Sequence, residues 1–464
     1  MSKKGLFSEF SRTSRSDWKT KATADLRGKA LEDLSRADAD GIIIQPCYDT
    51  ESEFKSIVPK RHQNGYEVVQ EYFVADAAEA NSQLLDYLNR GATSLLLYLL
   101  PNIDLSTLLE NIHPEHVSLH FVQEGNGLLL AEALGSYYES KGYDLTKCRG
   151  SINVDILENL ARTGNWFKSE EEDWAGLTAL VDRVDFAPWK TLCVNANLFH
   201  NAGASPAHQL GIALSMLHEY LVHYGEVGAE QHWLNMAVGT DYFHNIAKLR
   251  AMRSLWSFLL EQYDFDSTRY PLSLHVETGL RDKTIYDPFN NMLRNTSSSM
   301  SAIIGGAESI SVKPHDVAFK NPNEFGDRMA RNTPLVLGHE SYFSELNDPA
   351  EGSYFLESLT TELAASGWKC FQEIEERGGY IAALKSGYIQ GLVAGDHERE
   401  SEKVADGTKS ILGINLYPNA DEKMGPEIEQ ALFCSDSKKA TEVEPIRAIR
   451  TSESLELKRL QDET

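Results

Sequence analysis

The chain has 464 residues and carries 44 Lys and Arg against 69 Asp and Glu, so its formal net charge is −25. A field of that sign repels phosphate backbones and anionic lipids, so we expect neither a nucleic acid nor a membrane as a partner. The longest apolar run, residues 95–100, is too short to span a bilayer, and no apolar core of a signal peptide follows Met1. Five scattered cysteines without C-x-x-C spacing are typical of a reducing compartment, so we expect a cytoplasmic protein.

In chain order, short β-like runs alternate with longer helical patterns. A charged, amphipathic segment occupies residues 18–34, and a first apolar run at residues 41–44 ends before Pro46. Strands are predicted at residues 94–99, 117–122, 191–194, 272–276, 310–313, 335–337 and 411–415. Helices are predicted at residues 209–224, 239–263 and 359–377, the last of them ending at a Gly-Gly pair.

This alternation predicts parallel strands joined by crossover helices, which is an α/β fold. The number of strands, near eight, favours a closed (β/α)8 TIM barrel over an open, doubly wound sheet. No G-x-G-x-x-G segment follows any predicted strand, which removes the best signal for the open sheet. Beyond about Ser435 the chain becomes polar and charged without periodicity, so we expect a solvated tail there.

Two groups of histidines are candidate metal sites. His218 and His223 lie five residues apart, whereas two ligands on one face of a helix need a spacing of four. The cluster of His113, His116 and His120 is more typical of the mouth of a barrel, or of a surface, than of a metal site. We therefore expect no bound metal.

Small residues in two places would let a ligand approach the backbone closely. Residues 201–205 follow a predicted strand, at the end where barrel enzymes place their sites, and His200 beside them is either an acid or a packed loop histidine. The serines of residues 297–301 and the glycines at 305–306 form either a donor site for a phosphate or carbonyl, or a tight helix-to-strand connection. Two nearby cations, which either meet such an anion or pair with surface carboxylates, are Arg294 and Arg331.

A series of motifs in the C-terminal half carries a specific family resemblance. In order, they are Y-D-P-F-N-N-M-L-R-N-T at 286–296, G-G-A-E-S-I at 305–310, R-N-T at 331–333, D-P-A-E-G-S-Y at 348–354 and E-S-L-T at 357–360. In their order and spacing these motifs resemble the methylmalonyl-CoA mutase family. Weaker likeness extends back through residues 149–162 to the N-terminal part, so the resemblance covers most of the chain.

The resemblance implies a (β/α)8 barrel whose bore encloses a CoA thioester, capped in catalytic members by a separate cobalamin-binding domain. There the cofactor supplies the radical chemistry, while the barrel positions the acyl group and excludes water. For this chain it implies an N-terminal extension or subunit-contact arm at residues 1–40, the barrel at residues 41–434 and a charged tail at residues 435–464.

Two departures from the family pattern lie in the barrel. The position of the family's active-site histidine falls on Leu198, whose side chain cannot donate a hydrogen bond to a thioester carbonyl. His200, two residues further on, is out of register with it. The family's substrate-binding glutamine is replaced by Asn153, and its substrate arginine falls one position from Arg162. The resemblance therefore implies a degenerate substrate site at Asn153, Leu198 and His200, with no catalytic residue.

The third departure concerns the cofactor domain. The D-x-H-x-x-G segment whose histidine ligates cobalt has no counterpart here, and Asp396-His397 comes nearest to it. We therefore expect the chain to lack the C-terminal cobalamin-binding domain and to bind no cofactor.

Together the departures imply a small, non-catalytic subunit of methylmalonyl-CoA mutase, inactive alone. It would form a heterodimer with a large catalytic subunit that carries adenosylcobalamin and interconverts methylmalonyl-CoA and succinyl-CoA. Residual binding of an acyl-CoA in the bore stays open at this point. The alternative is the acyl-CoA-binding catalytic barrel of a split mutase that uses a separate cobalamin-binding polypeptide.

Overall fold

The computed structural model describes residues 13–49, 57–61, 64–125, 127–184, 189–432 and 440–463. Its strands are β1 (Arg36–Ala37), β2 (Ile43–Ile44), β3 (Glu67–Val74), β4 (Ser94–Leu99), β5 (Ser118–Val122), β6 (Gly150–Asn153), β7 (Trp189–Lys190), β8 (Leu192–Asn195), β9 (His232–Val238), β10 (Leu274–Thr278) and β11 (Ser309–Ser311). Its α-helices are α1 (Arg15–Asp25), α2 (Ala77–Asn89), α3 (Leu105–Leu108), α4 (Gly127–Lys141), α5 (Ile156–Thr163), α6 (Glu170–Arg183), α7 (Asn197–Ala202), α8 (Pro206–Tyr224), α9 (Glu226–Glu230), α10 (Tyr242–Gln262), α11 (Asn290–Ile304), α12 (Glu324–His339), α13 (Tyr354–Glu375), α14 (Tyr380–Lys385), α15 (Tyr388–Ala405) and α16 (Glu453–Glu463). Short 3₁₀ helices span Leu31–Leu34, Phe343–Glu345 and Gly425–Glu427. None of the described helices is both long and apolar enough to cross a bilayer.

The strands β3 to β11 form one parallel sheet, in the order β7-β6-β5-β4-β3-β11-β10-β9-β8. β7 and β8 are consecutive pieces of one stretch of chain, separated only by Thr191, and β7 pairs with β6 while β8 pairs with β9. β7 and β8 therefore act together as one barrel strand. The sheet closes on itself as a ring of eight barrel strands, which are connected along the chain by helices. The predicted (β/α)8 TIM barrel is confirmed.

Successive residues of each barrel strand point alternately to the helices and to the bore. On β9, Leu234 and Met236 belong to the main hydrophobic core, which also contains the apolar faces of the surrounding helices. Trp233, from the same strand, belongs instead to a small separate cluster that includes Val69 and Leu96. The main core thus lies between the sheet and the helices, and a second cluster lies inside the barrel.

Most of the predicted elements are confirmed. The strand predicted at residues 94–99 coincides with β4, and four others fall within two residues of β5, β8, β10 and β11. The three predicted helices coincide largely with α8, α10 and α13. The sequence did not reveal β3, β6 and β9, because polar side chains that face the bore interrupt their apolar runs, as in H-W-L-N-M-A-V of β9.

Two predicted strands are wrong. Residues 335–337 lie in α12, where helical spacing buries Pro334 and Leu337 and leaves Val336 largely exposed. Residues 411–415 form a turn in which the Asn415 side chain accepts from the Ile411 amide at 2.6 Å. Apolar runs this short do not distinguish a strand from a helix or a turn, because they contain less than one full period of either pattern.

The described part of the predicted N-terminal arm, residues 13–40, lies on the outside of the barrel. α1 begins with a capping box between Ser14 and Asp17, and none of its residues is buried. The following hairpin of β1 and β2 is anchored through Asp38, whose carboxylate lies 2.9 Å from Nε2 of His244 on α10. The other nitrogen of that imidazole lies 2.9 Å from Asp241. One histidine thus bridges the arm and the barrel.

The prediction of a solvated C-terminal tail is wrong for its described part, residues 440–463. Val443 and Ile446 are almost fully buried, and their amides donate to the carbonyls of Gly164 and Ala161 at the end of α5. The segment then crosses the C-terminal face of the barrel and ends in α16. Part of its charge is paired in the interior, as in the buried pair of Arg450 and Glu456, although its polar composition resembles that of a solvated tail. The boundary predicted between residues 434 and 435 lies outside the described residues.

We expect His244→Gln to weaken the attachment of the arm in a pH-dependent way. Burial lowers the pKa of His244, but hydrogen bonds to Asp241 and Asp38 outweigh it and raise this pKa to about 9. A raised folded-state pKa stabilises the protein fully below the unfolded value of about 6.5, and this stabilisation is lost as the pH rises through about 9. Denaturant unfolding should show a loss of about 1–3 kcal/mol at pH 6 and a smaller one at pH 10.

The matched control is His223→Gln. The ring of His223 is exposed and stacks on Trp174 with 4.3 Å between centroids, and no carboxylate lies within salt-bridge distance of it among the described residues. Its substitution removes an imidazole without removing an ion pair, so it measures the cost of losing a histidine ring alone. An equal effect of His244→Gln at pH 6 and pH 10 would contradict the ion-bridge interpretation.

Candidate functional site

Asn153, the first of the predicted site residues, ends β6 inside the barrel and is almost fully buried. Its side-chain amide donates to Asn195 Oδ1 at 3.0 Å and accepts from Asn195 Nδ2 at 3.1 Å. The two amides therefore satisfy each other across the join between β6 and β8. Turning Asn153 toward a ligand would break both hydrogen bonds, so its observed role is to close the barrel.

α7 carries the other two predicted site residues. Leu198 is 7% exposed and packs into the main hydrophobic core, and His200 is also buried. Burial lowers the pKa of His200 to about 3, with a contribution from the positive charge of Lys248, so the ring is neutral at physiological pH. Its Nδ1 lies 3.4 Å from Gln209 Nε2, and its Nε2 has no hydrogen-bond partner among the described residues.

His200 is fixed by its neighbours at the C-terminal face of the barrel. Gln209 Oε1 accepts from Lys248 Nζ at 2.7 Å, and the same ammonium donates to the Ala237 carbonyl at 2.8 Å. Burial lowers the pKa of Lys248 to about 7. A Cβ atom on Gly279 would lie 2.6 Å from His200 Nε2, so the ring packs directly against the backbone that follows β10. The structure therefore places Leu198 and His200 in packed positions.

The bore itself is occupied by a stack of three rings. Trp233 from β9 lies between His120 from β5 and His275 from β10, with ring centroids 5.4 Å and 5.0 Å apart. Two barrel strands, β6 and the joined β7 and β8, lie between β5 and β9 along the shorter way round the ring, so their side chains meet only through the interior. All three residues are at most 6% exposed. The stack therefore fills the axis of the barrel.

Both imidazoles of this stack are held by serines in neutral form. His120 Nδ1 lies 2.9 Å from Ser151 Oγ, and His275 contacts Ser309 Oγ at 2.8 Å and Ser311 Oγ at 3.2 Å. Burial lowers the pKa of His120 to about 4 and that of His275 to about 3. Uncharged rings stack on an indole without the cost of burying an ion.

A charged layer lies next to the stack. Lys313 Nζ contacts both carboxylate oxygens of Glu71, at 2.8 and 2.7 Å, and lies 3.2 Å from Glu277 Oε2. Burial disfavours the ammonium, but the two carboxylates outweigh it and hold the pKa of Lys313 well above its usual value. Tyr98 donates to Glu71 at 3.2 Å. Residues from four barrel strands and their ends thus form a closed polar network inside the barrel.

The sequence prediction missed these bore-filling residues, although a signal was present. On β10 and in the β11 region, polar residues recur at every second position: His275 and Glu277, then Ser309, Ser311 and Lys313. In a parallel barrel buried on both faces, polar residues with a period of two point into the bore. Which large side chains meet there depends on the stagger of distant strands, which the pattern does not give.

The histidines considered as metal ligands have other contacts. His218 lies 2.6 Å from Tyr263 Oη and 3.0 Å from Glu375, while His223 stacks on Trp174. His120 lies in the bore, away from the turn that holds His113 and His116. Among the residues that the structure describes, no group of three or more His, Cys, Asp or Glu is arranged to hold a metal.

The serine and glycine segments are structural connections. Ser298 donates to the Gly239 carbonyl at 2.8 Å and Ser301 to the Ser298 carbonyl at 2.7 Å, within α11. Gly305 and Gly306 then join α11 directly to β11. Arg331 is buried with its guanidinium 5.3 Å from the ring centroid of Tyr87. Arg294 instead borders an open cavity.

Comparison with known proteins identifies relatives along the whole chain. The sequence profile described as methylmalonyl-CoA mutase matches residues 101–462. A protein named methylmalonyl-CoA mutase small subunit from Porphyromonas gingivalis is 32% identical over 99% of this chain and 79% of its own length. Proteins of the same name are 32% identical in Streptomyces virginiae and 30% identical in Propionibacterium freudenreichii subsp. shermanii. Those two alignments cover 87% and 84% of this chain, and 69% and 64% of the relatives.

Removing the central ring should destabilise the barrel strongly. Trp233→Ala leaves a cavity between two imidazoles, and we expect a loss of about 3–5 kcal/mol in the free energy of unfolding. Trp233→Phe keeps an aromatic ring in the stack and should cost clearly less than the alanine substitution. Urea unfolding followed by circular dichroism measures both changes. Equal, small losses for the two variants would show that the stack does not fill the bore.

Proposed function

The chain belongs to the methylmalonyl-CoA mutase family, and from this we propose that it is the small, non-catalytic subunit of an adenosylcobalamin-dependent methylmalonyl-CoA mutase. In this proposal it supports a large catalytic subunit in the interconversion of methylmalonyl-CoA and succinyl-CoA. Its relatives are named small subunits, which implies a larger partner in those proteins.

The ring stack in the bore is the observation that carries the proposal. A barrel that encloses a thioester along its axis needs an open bore lined by small side chains. Here His120, Trp233 and His275 occupy the axis, and the Lys313 network lies beside them. A CoA thioester would have to displace a stacked indole and two hydrogen-bonded imidazoles, so the geometry favours a role without substrate in this bore.

The side chains at the C-terminal face support the same conclusion. Leu198 stands where the family resemblance expects a hydrogen-bond donor, and it packs into the hydrophobic core. His200 is neutral and wedged against the backbone at Gly279, so it is not placed to donate a proton to a thioester carbonyl. Arg162, near the position of the substrate arginine, pairs instead with Glu158 on its own helix at 2.8 Å.

The described residues do not fit cobalamin as a cobalt-ligated cofactor. His397, the histidine nearest to the family's cobalt-ligating pattern, has its Nδ1 3.1 Å from Arg281 Nη2. A histidine that accepts from a guanidinium on one nitrogen and contacts Ser401 at 3.5 Å on the other has no nitrogen free for a metal. We therefore assign adenosylcobalamin to the large subunit and derive no step through it on this chain.

The N-terminal arm is the segment that we assign to contact with the large subunit. α1 buries none of its residues against the barrel, and Trp18 is about one-third exposed. Exposed tryptophan on an outlying helix is typical of residues that dominate the binding energy of an interface. The contact between Asp38 and His244 anchors the arm to the barrel. A large subunit bound at α1 would therefore also be held to the barrel.

Reconstitution tests the assignment of catalysis. The purified chain should show no isomerisation of methylmalonyl-CoA with adenosylcobalamin, whereas a complex with the large subunit should be active. Leu198→His should leave the isolated chain inactive, because the bore stays filled and the cofactor contacts stay absent. Turnover by this chain with only a small cobalamin-binding protein would overturn the proposal in favour of the split catalytic barrel.

The arm assignment predicts that Trp18→Ala weakens association with the large subunit by about tenfold or more, because a buried interface tryptophan loses most of its contact area. The matched control is Lys19→Ala, one residue further along the same exposed helix, which should change the dissociation constant by less than about threefold. Surface plasmon resonance with immobilised large subunit measures both constants. Equal binding by the two variants would place the interface elsewhere.

A further inference from the structure

A cavity of about 260 Å³ opens on the C-terminal face of the barrel. Five pieces of the chain meet around it: Thr240 after β9, residues 281–284 after β10, the first turn of α11, the turn at residues 409–412, and residues 451–452 at the start of α16. None of the residues that fill the bore lines this cavity. It is therefore a separate space, built by the loops that follow the barrel strands and by the C-terminal segment.

The walls of this cavity are positively charged on a strongly acidic protein. Three cations line it, Arg281, Arg294 and Lys409, against one carboxylate, Asp282. Glu400 accepts from both Arg281 and Lys409 and neutralises one more charge. Three positive charges against two negative ones leave an excess of one, whereas the whole chain carries −25. A local field of this sign concentrates anions at the cavity.

Arg294 is the cation that its surroundings leave available. Its Nη1 donates to Thr284 Oγ1 at 2.8 Å and to Asn291 Oδ1 at 2.7 Å, and its Nη2 donates to the Leu412 carbonyl at 2.9 Å. All these partners are neutral. Among the residues that the structure describes, no carboxylate lies within salt-bridge distance of its guanidinium, although the side chain is half-buried. The neutral contacts fix its direction, and the carboxylates that act on its charge, Asp282, Asp287 and Glu456, do so from beyond salt-bridge distance.

Two buried hydroxyls that also line the cavity lack hydrogen-bond partners among the described residues. Thr451 is 7% exposed and Ser452 is 1% exposed, and neither Thr451 Oγ1 nor Ser452 Oγ has a partner among the described residues. Both line the cavity at the N-terminal end of α16, an eleven-residue helix whose dipole favours negative charge there. Buried hydroxyls are rarely left unpaired, so the pair indicates a missing ligand.

The nearby carboxylates are already engaged. Asp282 Oδ2 accepts from the Thr240 amide at 2.7 Å. Glu456 accepts from the Ile285 amide at 2.9 Å and pairs with Arg450, and Glu453 accepts from the Arg450 amide at 3.1 Å. Neither glutamate lines the cavity. The acidic groups therefore brace the walls and do not occupy the space between Arg294 and the two hydroxyls.

From Arg294, whose hydrogen-bond partners are all neutral, the unpaired hydroxyls of Thr451 and Ser452 and the helix terminus, we infer that this cavity binds a phosphate group, free or as the ester of a small metabolite. Phosphate oxygens accept hydrogen bonds from a guanidinium and from hydroxyls, and the dipole of the helix terminus favours their negative charge. The volume lies just below the range of about 300–1,000 Å³ typical of drug-sized ligands, so the occupant is small. The inference does not rest on the proposed role in the mutase.

Titration of the full-length chain with inorganic phosphate and with glycerol 3-phosphate tests the inference, by calorimetry at constant ionic strength. We expect saturable binding at one site, weakened about tenfold or more by Arg294→Gln. Tighter binding of the ester identifies a phosphorylated metabolite as the occupant, whereas binding of inorganic phosphate alone identifies the free ion. No saturable binding of either probe would overturn the inference.

A second set of variants keeps the test independent of folding. Leu293 lines the mouth of the cavity and is 67% exposed, so its substitution leaves the packing of α11 intact. Leu293→Glu should weaken phosphate binding by about tenfold through charge repulsion, while Leu293→Gln should change it by less than about threefold. If Leu293→Glu and Arg294→Gln both bind phosphate like the unaltered chain, the site is not in this cavity.

Discussion

Trp233 reaches the barrel axis from β9 and is held there between His120 and His275, two rings from different sides of the ring of strands. This contact depends on the closure of the barrel, because only a closed ring brings β5 and β9 face to face across an interior. It also determines what the barrel can enclose. A stack of uncharged, hydrogen-bonded rings makes the interior a packed core, and the neighbouring network of Glu71, Lys313 and Glu277 continues that core with paired charges.

With the axis filled, the features that distinguish this chain lie on its outer faces. The N-terminal arm is joined to α10 through an imidazole between two carboxylates. The C-terminal segment crosses the face of the barrel where the loops after the strands meet, and its amides pair with α5 and α7. That crossing creates the cavity beside Arg294. The same scaffold therefore supports subunit contacts and a small anion site while its bore does no chemistry in our proposal.

A filled bore with the distinguishing features on the outer faces agrees with the general pattern of (β/α)8 barrels. Side chains inside the barrel contribute stability when they are large, and a substrate path when they are small. Family membership fixes the scaffold, but function depends on the particular residues at the site. In our proposal Leu198 stands where the family resemblance implies a donor and Trp233 fills the path along the axis, so these two positions support the proposed non-catalytic role more directly than overall identity does.

The sequence by itself determined the α/β class, the closed barrel, the family and five of the barrel strands, because these depend on local alternation and on motifs that are contiguous in the chain. It also predicted that Leu198 and Asn153 depart from the family pattern. It did not reveal the ring stack, the Asn153–Asn195 pair or the packed C-terminal segment, since each joins residues that are far apart in the chain. Polar residues such as His275 and Glu456 look alike in sequence whether they face solvent or a buried partner. Only the tertiary structure shows which of these two surroundings a polar residue has, because strand stagger and barrel closure set the distances between residues far apart in the chain.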